Sequence, residues 1–269
     1  MFYLVKPGGN YTAVAFMRCS MTTLVFAAFL VTKLSTSSGL AQTQDQLDSA
    51  LVVAATGGDL KEVKRLVGLG ARVSNKAGWL GNDPMSGAAS AGSLDVVKFL
   101  VEQGADVNPR GWMGSSTLGS AILGGNPDVV EYLLSHGADT KATSFSGSTA
   151  LHSASAQGKA RMISSLLNHG AAIEAKDRSG LTSLMAAASG GHVEAVTLLL
   201  SRRANVNNKD NLGKTALMFA AEKGYLNVVK LLLNGGADRN ATDSYGHTAL
   251  DYAVAQNSAE VIVFLRREP

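Results

Sequence analysis

The sequence predicts an all-α solenoid of about seven helix-turn-helix units. Two observations carry this. Glycine followed by alanine recurs at Gly70, Gly104, Gly137, Gly170 and Gly236, at intervals of 34, 33, 33 and twice 33 residues, with Arg203-Ala204 in the one missing slot. Within each period, a short run rich in small residues precedes an amphipathic run with apolar residues three and four apart. Self-similarity at this period marks a chain of similar supersecondary units, each too small to bury its own apolar face and stable only when stacked.

The unit 210–238 shows the elements in order. Gly213 supplies a turn, and Thr215 is placed to cap a first helix over 216–223 through its hydroxyl. Gly224 ends that helix. Leu226, Val229, Leu232 and Leu233 then follow helical spacing, and Gly236 stops the second helix. The stretch 237–246 carries Asp238, Asn240, Asp243 and Gly246, all turn formers. Units are expected at about 44–77, 78–110, 111–143, 144–176, 177–209, 210–242 and 243–269, following a leader over 1–41.

The leader reads as an export signal. It contains Lys6, Arg18 and Lys33 but no acidic residue, and an apolar run over 21–31 is followed by small residues ending at Gly39-Leu40-Ala41. The run is shorter than the roughly 20 apolar residues of a spanning helix. An uncleaved anchor is the alternative, and Met17 offers a second start that would make the basic segment compact. Without residues 1–41 the 24 basic residues fall to 21, equal to the 21 acidic ones. The remaining chain is neutral, with no basic surplus to neutralise phosphates, so neither nucleic acid nor an anionic membrane is expected as a partner. The single cysteine, Cys19, lies in the leader.

Thr149-Ala150-Leu151-His152, Thr182-Ser183-Leu184-Met185, Thr215-Ala216-Leu217-Met218 and Thr248-Ala249-Leu250-Asp251 resemble the Thr-Pro-Leu-His start of ankyrin repeats. Gly104-Ala105-Asp106-Val107-Asn108 is similar to their Gly-Ala-Asp-Val-Asn end. Proline is missing from most starts, and Asp83-Pro84-Met85 and Ser116-Thr117-Leu118 are looser matches. The resemblance implies protruding hairpin loops between units and a slightly curved stack, concave on the side of the hairpins and first helices. The first unit, with Lys61, Glu62, Lys64 and Arg65 in its second helix, and the last, with Arg266-Arg267-Glu268, read as polar caps.

Stacking would align equivalent hairpin residues in a row. Two positions before each hairpin glycine stand Trp79, Trp112, Phe145, Arg178, Asn211 and Ser244, followed by Leu80, Met113, Ser146, Ser179, Leu212 and Tyr245. Both tryptophans thus fall at corresponding tips of adjacent units, with Phe145 next. Exposed contiguous apolar area marks interaction sites, and tryptophan is enriched among binding hot spots. The candidate partner-binding residues are Trp79, Leu80, Trp112, Met113, Leu123 and Phe145, Leu123 being included because Leu123, Gly124 and Gly125 read as an apolar, small inter-helix turn. A second reading lays the tryptophans flat on neighbouring hairpins, where they strengthen the stack. Lys214, Glu222, Lys223 and His247 read as an ordinary solvated face.

The five histidines make no metal spacing, and the sequence has no Gly-x-x-x-x-Gly-Lys-Ser/Thr loop, no dinucleotide fingerprint and no Gly-x-Ser-x-Gly elbow. No enzyme activity, cofactor or metal is expected. The function expected is a non-enzymatic, exported, monomeric module binding a protein partner through hairpin tips and concave face, without stable membrane insertion once the leader is cleaved. The alternatives are a periplasmic accessory or stress-protective protein acting on an envelope enzyme, and a secreted effector or immunity-type inhibitor.

Overall fold

A computed structural model describes residues 43–74, 83–109 and 116–266, so the leader over 1–41 lies outside the described residues. The described part forms seven helix pairs and contains no strand: α1 (Gln44–Thr56) with α2 (Leu60–Gly68), α3 (Pro84–Ser90) with α4 (Leu94–Glu102), α5 (Thr117–Gly124) with α6 (Pro127–Ser135), α7 (Ala150–Ala156) with α8 (Ala160–Asn168), α9 (Ser183–Ser189) with α10 (Val193–Ser201), α11 (Ala216–Glu222) with α12 (Leu226–Asn234), and α13 (Ala249–Ala255) with α14 (Ala259–Arg266). Each first helix packs on the first helices before and after it, and each second helix does the same in its own row. The result is the all-α repeat solenoid expected from the period.

The first helices start where a side chain satisfies their free N–H groups. Thr182, Thr215 and Thr248, 33 residues apart, accept hydrogen bonds from the N–H groups of Met185, Met218 and Asp251. At α7 the cap is shared with histidine: the Thr149 N–H donates to His152 Nδ1 at 3.2 Å, and the Thr149 hydroxyl contacts the same nitrogen. Each such cap contributes about 1 kcal/mol. Between the helices of a pair the chain turns through a residue of positive φ, glycine at Gly92, Gly125, Gly158, Gly191 and Gly224 and asparagine at Asn257.

Two ladders fill the core. Ala88, Ala121, Ala154, Ala187, Ala220 and Ala253 follow one another at 33 residues and are all 0% exposed. Leu100, Leu133, Leu166, Leu199 and Leu232 keep the same interval along the second helices and are equally buried. The alanines let first helices approach closely, while the leucines fill the wider space between the rows. Burying each leucine contributes roughly 1.5–3 kcal/mol.

The ends are capped unevenly. In α2, Lys61, Lys64 and Arg65 are exposed while Val63 and Leu66 point inward. In the last unit Asp251 takes the place of buried Met218 and Arg266 that of Leu233, as a polar cap requires. Val254, however, stands exposed where the preceding unit buries Ala221.

The segment Leu123, Gly124 and Gly125 departs from expectation. Leu123 and Gly124 belong to the last turn of α5, and Gly125 alone is the left-handed cap. The helix runs on because it is pressed against its neighbour: a Cβ at Gly124 would stand 2.4 Å from the Ala89 carbonyl oxygen and 2.8 Å from that of Ser90. Gly124→Ala is therefore expected to force two backbones apart and destabilise by about 1–3 kcal/mol in urea unfolding. Gly119→Ala in the same helix meets only the Ser116 hydroxyl, at 3.4 Å. It should be neutral or stabilising by up to about 1 kcal/mol, and equal losses in the two variants would refute the packing account.

Candidate partner-binding edge

Each described hairpin is closed by its own backbone. The N–H groups of Ser144, Asp177, Asp210 and Asp243 donate to the carbonyls of Ser148, Leu181, Lys214 and His247 at 2.9–3.0 Å. Gly147, Gly180, Gly213 and Gly246 turn the chain at φ near +80°, where a side chain would be strained. In three hairpins the first residue is an aspartate whose Oδ1 accepts two further backbone N–H groups: Ser179 and Leu181 on Asp177, Leu212 and Lys214 on Asp210, Tyr245 and His247 on Asp243. The tips are thus rigid before any partner arrives.

They are also tied to each other. The Arg178 N–H donates to the Ser146 carbonyl at 3.0 Å, the Asn211 N–H to Ser179 at 3.0 Å, and the Ser244 N–H to Leu212 at 2.9 Å. Asn211 Nδ2 adds a bond to the Arg178 carbonyl. The positions expected to align therefore do align from Phe145 to Ser244.

Phe145 sits at the first described tip, 64% exposed, with the Arg178 guanidinium 4.7 Å from its ring centre. That contact covers one face of the ring and is worth about 0.5–1 kcal/mol at an exposed position. Trp79, Leu80, Trp112 and Met113 lie outside the described residues. Leu123 is 73% exposed, but the structure does not bring it to the tips. First helices run side by side in the same direction, since the C-terminal end of α5 lies against that of α3. Leu123 therefore belongs to the edge of inter-helix turns, at the end of the first-helix row away from the hairpins. Two exposed tip residues were named only as members of the series and not as candidates: Leu212 at 51% and Tyr245 at 71%. Their place directly after the aligned position was the available signal.

The surface expected to be plainly solvated is instead a packed cluster. The Lys214 side chain, only 12% exposed, pairs with Glu222 and lies 4.7 Å from the Phe219 ring centre and 4.2 Å from that of Tyr252. The Tyr252 hydroxyl donates to Asp243 Oδ2 at 2.5 Å, and the His247 ring meets Tyr252 edge-on. Lys223 and His247 do remain exposed. The misjudged residues carry long side chains that fold back across the boundary between two units, which a reading of single positions misses.

The histidines at unit boundaries serve the stack. His152 Nε2 meets the Leu181 carbonyl and His192 Nε2 the Ala156 carbonyl, each binding one unit to its neighbour. Among the described residues no group of three or more His, Cys, Asp or Glu side chains could hold a metal ion. No helix among them is long and apolar enough to cross a membrane.

Comparison with protein families agrees with this architecture. A model described as ankyrin repeats (3 copies) matches residues 24–111, 51–144 and 118–210, and one described as ankyrin repeats (many copies) matches 199–253. No curated protein matches the chain.

Asp243 joins the last described hairpin to α13. Burial raises its pKa, but the Tyr252 hydroxyl, the N–H groups of His247 and Tyr245 and the charge of His247 outweigh this and hold it at about 2, below the ordinary value of 3.8. Folding favours the ionised form, so this contribution is complete above the ordinary carboxylate range and is lost as pH falls through about 2. Asp243→Asn should lower the urea midpoint at neutral pH and flatten its fall between about pH 4 and 2. A variant profile parallel to the parent's would show that the carboxylate does not anchor the hairpin.

Proposed function

Because the chain belongs to the ankyrin-repeat family, whose repeats generally mediate protein–protein interaction, we propose that this protein is a non-enzymatic module holding a protein partner along its hairpin tips and the first-helix face behind them. The observation that carries the reading is the row of tips joined by backbone hydrogen bonds and displaying Phe145, Leu212 and Tyr245 to solvent. Backbone locked in this way has little freedom left to lose on binding, so a modest contact area suffices for useful affinity. Trp79 and Trp112 extend the same register by sequence, and Leu80 and Met113 stand beside them. The face behind the tips suits close contact: α3, α5, α7 and α9 contain no Asp, Glu, Lys or Arg, and present serine, glycine and alanine instead. A partner need not strip water from charges there, which would oppose binding.

Export belongs to this reading. The basic stretch to Arg18, the apolar run over 21–31 and the small residues ending at Ala41 have the pattern of a cleaved leader, and the remainder is electrically neutral. Mass spectrometry of protein recovered from the producing cell should find an amino terminus near Gln42; an intact leader would favour an anchor.

Capture from the compartment in which the protein accumulates tests the binding edge. Trp79→Ala with Trp112→Ala, and separately Phe145→Ala with Tyr245→Ala, should each weaken a captured partner by about thirtyfold, as removal of a hot spot worth about 2 kcal/mol does. Far-UV circular dichroism should not change, because none of these side chains fills the core described above. Undiminished affinity in both double variants would move the site away from the tips.

A further inference from the structure

Four first helices begin at a threonine, at Thr149, Thr182, Thr215 and Thr248, but α3 begins at Asp83. A threonine hydroxyl is consumed by the first turn of its helix. Aspartate brings a second oxygen and a charge. Oδ1 of Asp83 takes the cap role, accepting the Ser86 N–H at 2.8 Å. Oδ2 has no hydrogen-bond partner, although the residue is only 2% exposed. An ionised oxygen withdrawn from water and left unpaired is strongly unfavourable, so its surroundings show what it is built to meet.

Asp83 lines a cavity of about 280 Å³. Asp106, Asn108 and Ser74 supply further oxygen atoms to its wall, Val73 and Met85 supply apolar surface, and no basic residue takes part in the lining. Two carboxylates opposed by no cation, beside an aliphatic wall, suit a positive group carried on an apolar stem. The neighbouring unit shows the completed form of such a pairing. Asp48, also buried, takes both Nε and Nη2 of Arg72 on Oδ2, at 2.8 and 2.7 Å, and the Arg72 backbone N–H on Oδ1. Arg72 is thereby committed to Asp48, and Asp83 has no counterpart among the described residues.

We propose that this cavity is a subsite for an arginine side chain of the protein partner. The proposal rests on the partner-binding reading above and adds the partner's chemistry to it. A guanidinium fits better than an ammonium because its five N–H donors can reach Asp83, Asp106 and Asn108 together, and because it is the more weakly hydrated cation. The cavity flanks, in sequence, both segments that carry the tryptophan tips, so a partner seated along the edge would deliver its basic side chain at the amino-terminal end.

The test uses the full chain and N-acetyl-L-arginine amide as probe, titrated while the Met85 methyl resonance is followed by NMR. Met85 lines the cavity and is itself buried, so a shift there reports occupancy. The citrulline analogue, equal in shape but uncharged, and the lysine analogue form the other arms. A saturable Met85 shift is expected with the arginine probe, at least tenfold weaker with citrulline. Asp83→Asn should weaken arginine binding at least tenfold while leaving the fold unchanged, since asparagine caps a helix as well as aspartate does. Asp83→Thr, which installs the residue used by the other units, should do the same. Absence of a saturable shift, an equal response to citrulline, or undiminished affinity in both variants would overturn the proposal, and an equal response to lysine would overturn the choice of arginine. The titration needs no partner, so its failure is distinct from failure of the binding-edge reading, which the tip variants decide separately.

Discussion

The closest approach in the protein, first helix against first helix, sets the terms for everything else. It is possible because one position in each of six successive units is alanine, buried without remainder from Ala88 to Ala253. A larger side chain there would push neighbouring units apart, and dense cores tolerate such intrusion poorly. Separation would break more than van der Waals contact. The carbonyl groups that receive His152 and His192, and those that join one hairpin tip to the next, stay within hydrogen-bonding range only while the helices hold this spacing. Small residues in the core thus determine the order of the polar groups at the rim.

That dependence explains what could be read from the letters alone. The period, the threonine caps, the glycine turns and the two helices of each unit are local or strictly recurring features, and they appear in the structure where spacing placed them. Alignment of the tips is itself a recurrence, so the series through Phe145, Arg178, Asn211 and Ser244 was legible before any contact was known. The exceptions share a cause. Leu123 and Gly124 were taken from a glycine pair as a turn, yet packing against Ala89 and Ser90 keeps both helical. Lys214 has the composition of a solvated position, but the rings of Phe219 and Tyr252 arrive from two different units to enclose it. Cross-unit contacts of that kind have no period of their own.

Asp83 is a third exception, of another kind. As a helix cap it is as good a residue as threonine, so local rules find nothing to remark on. Its second oxygen becomes noticeable only when the chain around it is in place and leaves it without a donor. The protein therefore carries two sorts of recognition chemistry on the hairpin side: apolar side chains held out on rigid loops, and a withdrawn negative charge between the second unit and its neighbour. The first was written in a row of corresponding letters, and the second in a single departure from such a row.

Stacking at fixed intervals also makes the rim a ruler. Packed helices lie about 8–10 Å apart, and the tips inherit that pitch because backbone bonds fasten each to the next. An extended polypeptide advances about 3.3 Å per residue. A strand laid along the rim would meet successive graduations with every third residue, a count out of step with its own two-residue alternation, so consecutive marks would touch opposite faces of the visitor.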